Sequence, residues 1–380
     1  MPSLICMKCG DVYSVREACW KCDCGGLLDL NFTAVFDRTA IASRPHSLWR
    51  YREALPLEDD RNIISFGEGF TPLTTFKMGG REVLVKQDQL FPTGSYKDRG
   101  AAMLVSKAKE LGVKDVVEDS SGNAGCAIAA YCARAEIGCQ IFVPASTSPA
   151  KTAQIQMYGA QLVLVPGTRE DTARAVLAAA AKHYYASHSW NPFFFHGTKT
   201  WAYEVWEQLG WRAPDTVILP VGNGTLLLGA YIGFNDLLAA GEIQRMPKII
   251  AVQSENSAPL ARAFWEKLDT IPAIDKKDTL AEGIAIAEPV RGMQIIRAVG
   301  ASGGDFVTVS EAEIEASLVE ISRQGAYIEP TSAATTAAAA RYLQHKQDSE
   351  VVVTVFTGHG LKSTEKMMKI LEHPNPNPLG

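Results

Sequence analysis

What the 380-residue chain lacks narrows it first. No apolar run approaches the ~20 residues that span a bilayer; among the longest, Thr331 to Ala340 is an alanine-rich helical stretch. The N-terminus carries no charged segment followed by an apolar core, so no secretory signal is expected. Basic residues are the minority charge: 37 Lys and Arg stand against 42 Asp and Glu, for a net charge of −5 and a pI near 5.9. A nucleic-acid partner would want the opposite balance. No internal repeat or low-complexity linker interrupts the sequence. These absences leave a cytoplasmic globular chain without membrane or nucleic-acid partners. It is long enough for two lobes and a small appendage.

Cysteine is scarce except at one end. Five of the eight lie in the first 24 residues: Cys6, Cys9, Cys19, Cys22 and Cys24. The other three, Cys126, Cys132 and Cys139, fall in an apolar segment and are expected to pack as small hydrophobes. Clustered cysteines in a reducing compartment favour metal over disulfides. Cys6-x-x-Cys9-Gly10 and Cys22-x-Cys24-Gly25-Gly26 read as two metal-binding turns, because glycine after a cysteine lets backbone amides turn toward a thiolate. Four of the five cysteines would hold a structural zinc ion. The set is Cys6, Cys9, Cys22 and Cys24, with Cys19 as the alternative to Cys22; the competing reading is a reduced, metal-free hairpin. No His or carboxylate is spaced to leave the open position a catalytic zinc needs.

The chemistry concentrates at Phe91-Pro92-Thr93-Gly94-Ser95-Tyr96-Lys97-Asp98-Arg99-Gly100. A strand-like run ends near Lys86, turn formers follow, and a helical pattern then carries Leu104, Ala108 and Leu111 until Gly112. Lys97 therefore falls at the positive end of a helix, which favours a neutral, nucleophilic amine. Such an amine suits a Schiff base with an aldehyde cofactor. The bland alternative is a surface lysine flanked by Asp98 and Arg99 for solubility.

Elsewhere the chain alternates strands and helices. Strands are expected at 113–118, 140–143, 161–165, 216–221, 248–253 and 351–356. Helices are expected at 150–158, 169–183, 200–209, 310–323 and 331–345. Residues 31–60 read as an irregular connector, and 67–73 as a turn-rich entry. This alternation predicts an α/β fold with two lobes of parallel sheet and helices on both faces. Two loops in it could hold anions. Asp119-Ser120-Ser121-Gly122-Asn123 opens a helix with hydroxyls and amides suited to a carboxylate. Gly222-Asn223-Gly224-Thr225-Leu226 follows a strand and opens a helix, as a phosphate cradle does. A dinucleotide reading of that loop, with Glu255 on the ribose, is the weaker one because its last glycine, Gly229, is out of register.

These segments, together with Thr357-Gly358-His359-Gly360-Leu361-Lys362, resemble the fold type II pyridoxal-phosphate enzymes, and within them the threonine synthase family. The resemblance runs from about Cys6 to Lys362. It implies a small N-terminal zinc-ribbon-like segment over 1–30 and a connector over 31–60. It also implies a larger cofactor-binding lobe over 61–100 and 190–370, and a smaller mobile lobe over 101–189. Lys97 would hold pyridoxal 5′-phosphate as a Schiff base and later carry protons. Asn123 would bind the cofactor's 3-hydroxyl, Gly222, Asn223, Gly224, Thr225 and Leu226 its phosphate, and Thr357 its ring nitrogen. Ser120, Ser121, Gly122 and Ser189 would meet the amino-acid substrate. The implied assembly is a homodimer.

The departures point to the substrate. The family carries a phosphate-gripping arginine after its Asn-Pro, whereas Asn191-Pro192 is followed here by three phenylalanines, with Phe194 at the arginine position. His188 replaces an asparagine, and Lys199, Arg169 and His196 are the candidates for a relocated grip. Thr225-Leu226 replaces Gly-Asn, while Ala124-Gly125 and Ala281-Glu282-Gly283-Ile284-Ala285 resemble dehydratases. An apolar ring cannot hold a dianion. The expected activity is a lyase of the threonine synthase group that eliminates or replaces a β or γ substituent. The alternative is a threonine or serine dehydratase-type ammonia-lyase. A third reading is a zinc-ribbon interaction protein on a degenerate enzyme fold, which the intact Lys97, Asn123 and glycine positions disfavour.

Overall fold

Short runs of β-branched residues without polar alternation need both faces covered, and helices between them supply the cover. The computed structural model describes residues 2–347 and 349–372. The chain divides into two compact units, Met1–Phe70 with Lys97–Thr200 and Thr71–Tyr96 with Trp201–Gly380. The chain crosses from one unit to the other between Tyr96 and Lys97.

The first unit holds two sheets. The strands Val12–Ser14, Ser3–Cys6 and Leu28–Asn31 form a small antiparallel sheet in that order; Cys6 ends one strand and Cys9, Cys19, Cys22 and Cys24 lie in the connecting turns. Four parallel strands form the second sheet, in the order Gln161–Val165, Gly138–Pro144, Asp115–Glu118, Tyr184–Tyr185. Val116, Val117, Ile128, Tyr131, Val176 and Leu104 share one core, which joins this sheet to the helices Lys97–Glu110, Asn123–Ala135 and Arg169–Ala179. The last helix ends earlier than its alanine-rich sequence suggests. Tyr184 and Tyr185 must leave it to pair with Val116 and Val117.

The second unit is built on six strands in the order Asp305–Val309, Lys248–Ser254, Thr216–Pro220, Val352–Val355, Arg81–Lys86, Leu73–Met78. Thr216–Pro220 and Val352–Val355 are buried along their whole length, as central parallel strands should be. One expectation fails at the edge. Leu73–Met78 is a strand, and it pairs antiparallel with Arg81–Lys86 through a turn at Gly79-Gly80. Lys86 ends that hairpin in a fully buried pair with Glu204 at 2.6 Å, and also donates to the Thr71 carbonyl and the Gln208 amide oxygen.

Residues 31–60 are also more regular than expected. Asp37 caps a helix over Arg38–Ser43 by accepting from the amides of Thr39 and Ala40, and 3-10 turns run over Leu48–Ala54. Buried Trp49 ties this segment to Glu68 at 3.1 Å. Within each unit the sheet order decides where polar loops leave. Asp119–Gly122, Val221–Gly224 and Phe356–His359 each leave the carboxyl end of a parallel strand, the end where α/β sheets place their ligands.

Candidate active site

Lys97 is the first residue of its helix, Lys97–Glu110, and is half-buried. The turn before it is clamped to the second unit's last loop. The Tyr96 amide donates to the Thr357 carbonyl at 2.9 Å, the His359 amide to the Gly94 carbonyl at 2.9 Å, and Lys362 to the Thr93 carbonyl at 3.0 Å. The Tyr96 hydroxyl also meets Thr225 Oγ1 at 2.7 Å. One tyrosine, adjacent to the lysine in the chain, thus bonds to both the phosphate-type loop and the Thr357 loop. Asp98 and Arg99 are not a solubility collar. Both are fully buried, and Arg99 donates to Thr200 Oγ1 at 3.1 Å.

Gly224 takes φ +76°, and a Cβ there would stand 2.6 Å from Ile295 Cγ1, so only glycine fits this turn. It opens the 15-residue helix Thr225–Ala239, whose ladder starts with Leu228 N–H to the Gly224 carbonyl. The amides of Thr225, Leu226 and Leu227 precede that ladder and are the donors a phosphate takes at a helix N-terminus. Thr357 is fully buried; its hydroxyl donates to Glu329 at 2.7 Å and meets Ser332 Oγ at 2.9 Å. Glu329 and Ser332 were not singled out in the sequence, although a Glu-Pro at a helix start was there to be read. The helix amides of this unit as donors and the buried Thr357 hydroxyl oxygen as an acceptor fit a phosphorylated pyridine ring. A cavity of about 1090 Å³ in the same unit, lined by Asp215, Arg245, Lys248 and Arg341 among others, contains none of these residues.

In the first unit, Gly122 precedes the helix Asn123–Ala135, and its amide donates to Ser120 Oγ at 3.3 Å. Ser120, Ser121 and Asn123 are half-buried and Gly122 is exposed, so the loop can be reached from solvent. Ser189 is buried, with its amide donating to Ser187 Oγ at 3.3 Å. The three proposed substitutes for a phosphate grip separate. Lys199 and His196 are buried against the Phe32 ring, Lys199 at 4.9 Å and His196 edge-on at 6.1 Å between ring centroids. Arg169 is bound to Asp119 at 2.7 Å.

Phe194 is fully buried, its ring lying against Gly100 in the first turn of the Lys97 helix. Two polar groups approach that ring. Lys97 Nζ is 5.7 Å from its centroid and the His188 imidazole is 6.1 Å away. His188 Nδ1 bonds Glu118 Oε1 at 2.7 Å. Burial, and then the adjacent Asp119 charge, push the Glu118 carboxyl well above the usual range. Burial, and then the positive charges of Lys97 and Arg169, push His188 well below its usual value. Both shifts favour one arrangement: a protonated Glu118 donating to a neutral imidazole. The structure thus gathers Lys97, His188, Glu118 and Phe194, and Glu118 was not foreseen because a lone acid ending an apolar strand gives no periodic signal.

At the N-terminus the sulfurs of Cys6, Cys9, Cys22 and Cys24 lie within 4.8 Å of one another, with Cys6–Cys24 at 3.6 Å and Cys9–Cys22 at 3.4 Å. Cys19 lies outside the group, its thiol donating to the Lys21 carbonyl at 2.9 Å. A Cβ on Gly26 would be 2.6 Å from Cys6 Sγ. Burial opposes the Cys6 thiolate, but amide donors from Cys9 and Lys8 outweigh it and bring that thiol down to about 6. The Tyr13 hydroxyl bonds Cys22 Sγ at 3.1 Å.

A family model described as pyridoxal-phosphate dependent enzyme matches residues 64–358. The threonine synthase of Methanocaldococcus jannaschii is 35% identical over 97% of this chain and 95% of its own length. That of Methanosarcina acetivorans is 33% identical, over 98% and 95%. Among solved structures, the processed form of threonine deaminase isoform 2 from Solanum lycopersicum superposes with a TM-score of 0.70 at 22% identity, covering 90% of each chain. Serine racemase from Dictyostelium discoideum gives 0.64 at 27%, covering 76% of this chain and 92% of its own.

Proposed function

The chain belongs to the pyridoxal-phosphate dependent enzymes, among relatives of the threonine synthases, and from that premise we propose that it catalyses the threonine synthase reaction on O-phospho-L-homoserine. The observation that carries this reading is 35% identity along 97% of the chain, combined with Lys97 at the start of its helix. Pyridoxal phosphate, when bound, supplies a carbonyl for the substrate amine and an electron sink. The residues we propose to hold it are Lys97, Asn123, Gly222, Asn223, Gly224, Thr225, Leu226 and Thr357. Ser120, Ser121, Gly122 and Ser189 would orient the substrate, and Lys97 would move protons at its carbon atoms. The division of labour we propose is 61–100 with 190–370 as the larger cofactor-binding lobe and 101–189 as the smaller mobile lobe, whereas the compact units divide the chain at 70/71, 96/97 and 200/201.

A second reading is favoured by one feature. Phe194 is fully buried where a phosphate grip is expected, and the polar groups near its ring are Lys97, the residue proposed to hold the cofactor, and the neutral Glu118–His188 pair. That supports a threonine or serine dehydratase-type ammonia-lyase acting on an unphosphorylated substrate. Incubation with O-phospho-L-homoserine, L-threonine and L-serine separately decides between them. Phosphate release without 2-oxo acid supports the first reading; 2-oxo acid from threonine or serine supports the second. Neither product from any of the three sinks both.

The cysteine group is proposed as a structural zinc site on a zinc-ribbon-like segment. Zn–S bonds of ~2.3 Å in a tetrahedron put sulfurs ~3.8 Å apart, close to the 3.4 and 3.6 Å found here. Tyr13 would fix Cys22 from outside the ligand shell. Purified protein is expected to hold one zinc per chain. Cys22→Ser should lose it and open the segment before residue 31 to protease, while the cofactor's visible absorbance persists. Metal content and limited proteolysis read both; a zinc-free wild type that resists protease sinks the site. The proposed setting is a cytoplasmic homodimer, and sedimentation reads the subunit number. Among the described residues no helix is long and apolar enough to cross a membrane.

A further inference from the structure

The Glu118–His188 pair has no part in the cofactor chemistry above. Glu118 ends the strand that leads directly into the Asp119–Asn123 loop, and it is fully buried. One of its oxygens bonds His188, and the other, Oε2, meets no hydrogen-bonding group among the described residues. A buried carboxyl with one oxygen unbonded is costly unless it is neutral. His188 is almost as buried, and Phe194 is the ring it shares with Lys97. The charged groups acting on the pair come from three elements. Lys97 starts its helix, Asp119 follows the strand, and Arg169 starts the helix Arg169–Ala179, where it is bound to Asp119. Tyr185, on the neighbouring strand, donates to the other Asp119 oxygen at 2.7 Å. Asp119 is therefore matched by its own partners, and Glu118 is left to His188.

A neutral carboxyl bonded to a neutral imidazole is a stored proton with a relay. With the proton on Glu118, Nδ1 accepts and Nε2 carries the hydrogen. We propose that His188, backed by Glu118, is the acid that delivers a proton to the departing substituent of the amino-acid substrate. The inference rests on the reading that Lys97 holds the cofactor and removes the substrate proton. For a β substituent the step balances as follows. Lys97 takes the Cα proton, and the electron pair of that bond becomes the Cα–Cβ double bond. The Cβ–O bond breaks with its pair on oxygen, and that oxygen takes the Nε2 proton of His188. The Glu118 proton passes to Nδ1, leaving a neutral imidazole in its other tautomer and a carboxylate on Glu118. Water restores the proton when product leaves. His188 is the catalytic residue in this step and Glu118 positions and reloads it.

The test separates an acid from a structural support by the leaving group. Holoenzyme is assayed with L-serine and L-threonine, whose departing β-hydroxyl needs a proton, and with β-chloro-L-alanine, whose chloride does not. His188→Gln and Glu118→Gln should lower kcat/KM about 100-fold or more on the oxygen substrates, and leave chloroalanine within about threefold. In the wild type, rates on oxygen substrates should fall as pH rises through the pair's raised titration, and the chloroalanine rate should not follow. Equal losses on both substrate types, or none, overturn the proposal. A second readout needs no turnover: nitrogen NMR of histidine-labelled holoenzyme should show His188 neutral, hydrogen on Nε2, between pH 6 and 8. A hydrogen on Nδ1 or a charged imidazolium would make it a base or an ion pair and overturn the proposal even if no oxygen substrate is turned over. Failure of the functional reading shows instead as absent products with that NMR pattern intact.

Discussion

Lys97→Ala is expected to abolish the visible absorbance that marks bound cofactor on a lysine, along with its sensitivity to borohydride, and to lower turnover by about 10⁴-fold or more. The size follows from two roles lost together: covalent attachment and proton transfer at the substrate carbons. The residue's setting makes the loss specific. The turn before it is fixed by Tyr96 N–H to the Thr357 carbonyl and by Lys362 to the Thr93 carbonyl, so removing a half-buried amine leaves those clamps in place. Fold and melting temperature should therefore change little while chemistry is lost. A variant that keeps both the band and its borohydride sensitivity would falsify the assignment of Lys97. A variant that loses the band together with its fold would instead make the clamps dependent on the amine, and Lys97→Arg then distinguishes charge from chemistry.

The parts of this site that were legible share a physical reason. Glycine at Gly224 answers a positive φ that other residues rarely take, and a strand-turn-helix order puts amides at an anion. Strands such as Thr216–Pro220 are read as buried because parallel sheets have two covered faces. What escaped was tertiary. Glu68, Glu118 and Glu329 look like any acids in sequence, and only the fold buries them against Trp49, His188 and Thr357. The edge strand Leu73–Met78 escaped because its six residues, only one of them fully buried, give a half-exposed edge no strong pattern, and Gly67–Pro72 dominate the local reading. Asp98 and Arg99 were misjudged for the opposite reason: charge suggested solvent, whereas both are buried in the first turn of the Lys97 helix. The Phe193–Phe195 run, apolar in an expected polar site, turned out to be packing.

Packing of this kind sets the second large effect, expected at Gly197→Ala. Gly197 lies on the helix Pro192–Thr198, which packs against the start of the Lys97 helix. A Cβ at Gly197 would meet the Arg99 carbonyl oxygen and stand 2.8 Å from both the Arg99 carbonyl carbon and Gly100 Cα. All three are backbone atoms, so no side chain can rotate away and the helices must separate. Phe194 prevents a compensating slide, because its ring already occupies the space beside Gly100. Overpacking of this sort costs about 1–3 kcal/mol, and a displacement of even ~1 Å at a reacting group costs ~100-fold in rate. Gly197→Ala should therefore unfold at lower denaturant and lose about 100-fold in kcat. It should still bind cofactor, since Lys97 survives. Its KM should move less than its kcat, because the Ser120–Asn123 loop belongs to another element. Unchanged kcat with reduced stability would mean the two helices separate away from Lys97, and would remove the link argued here between that contact and the position of the lysine.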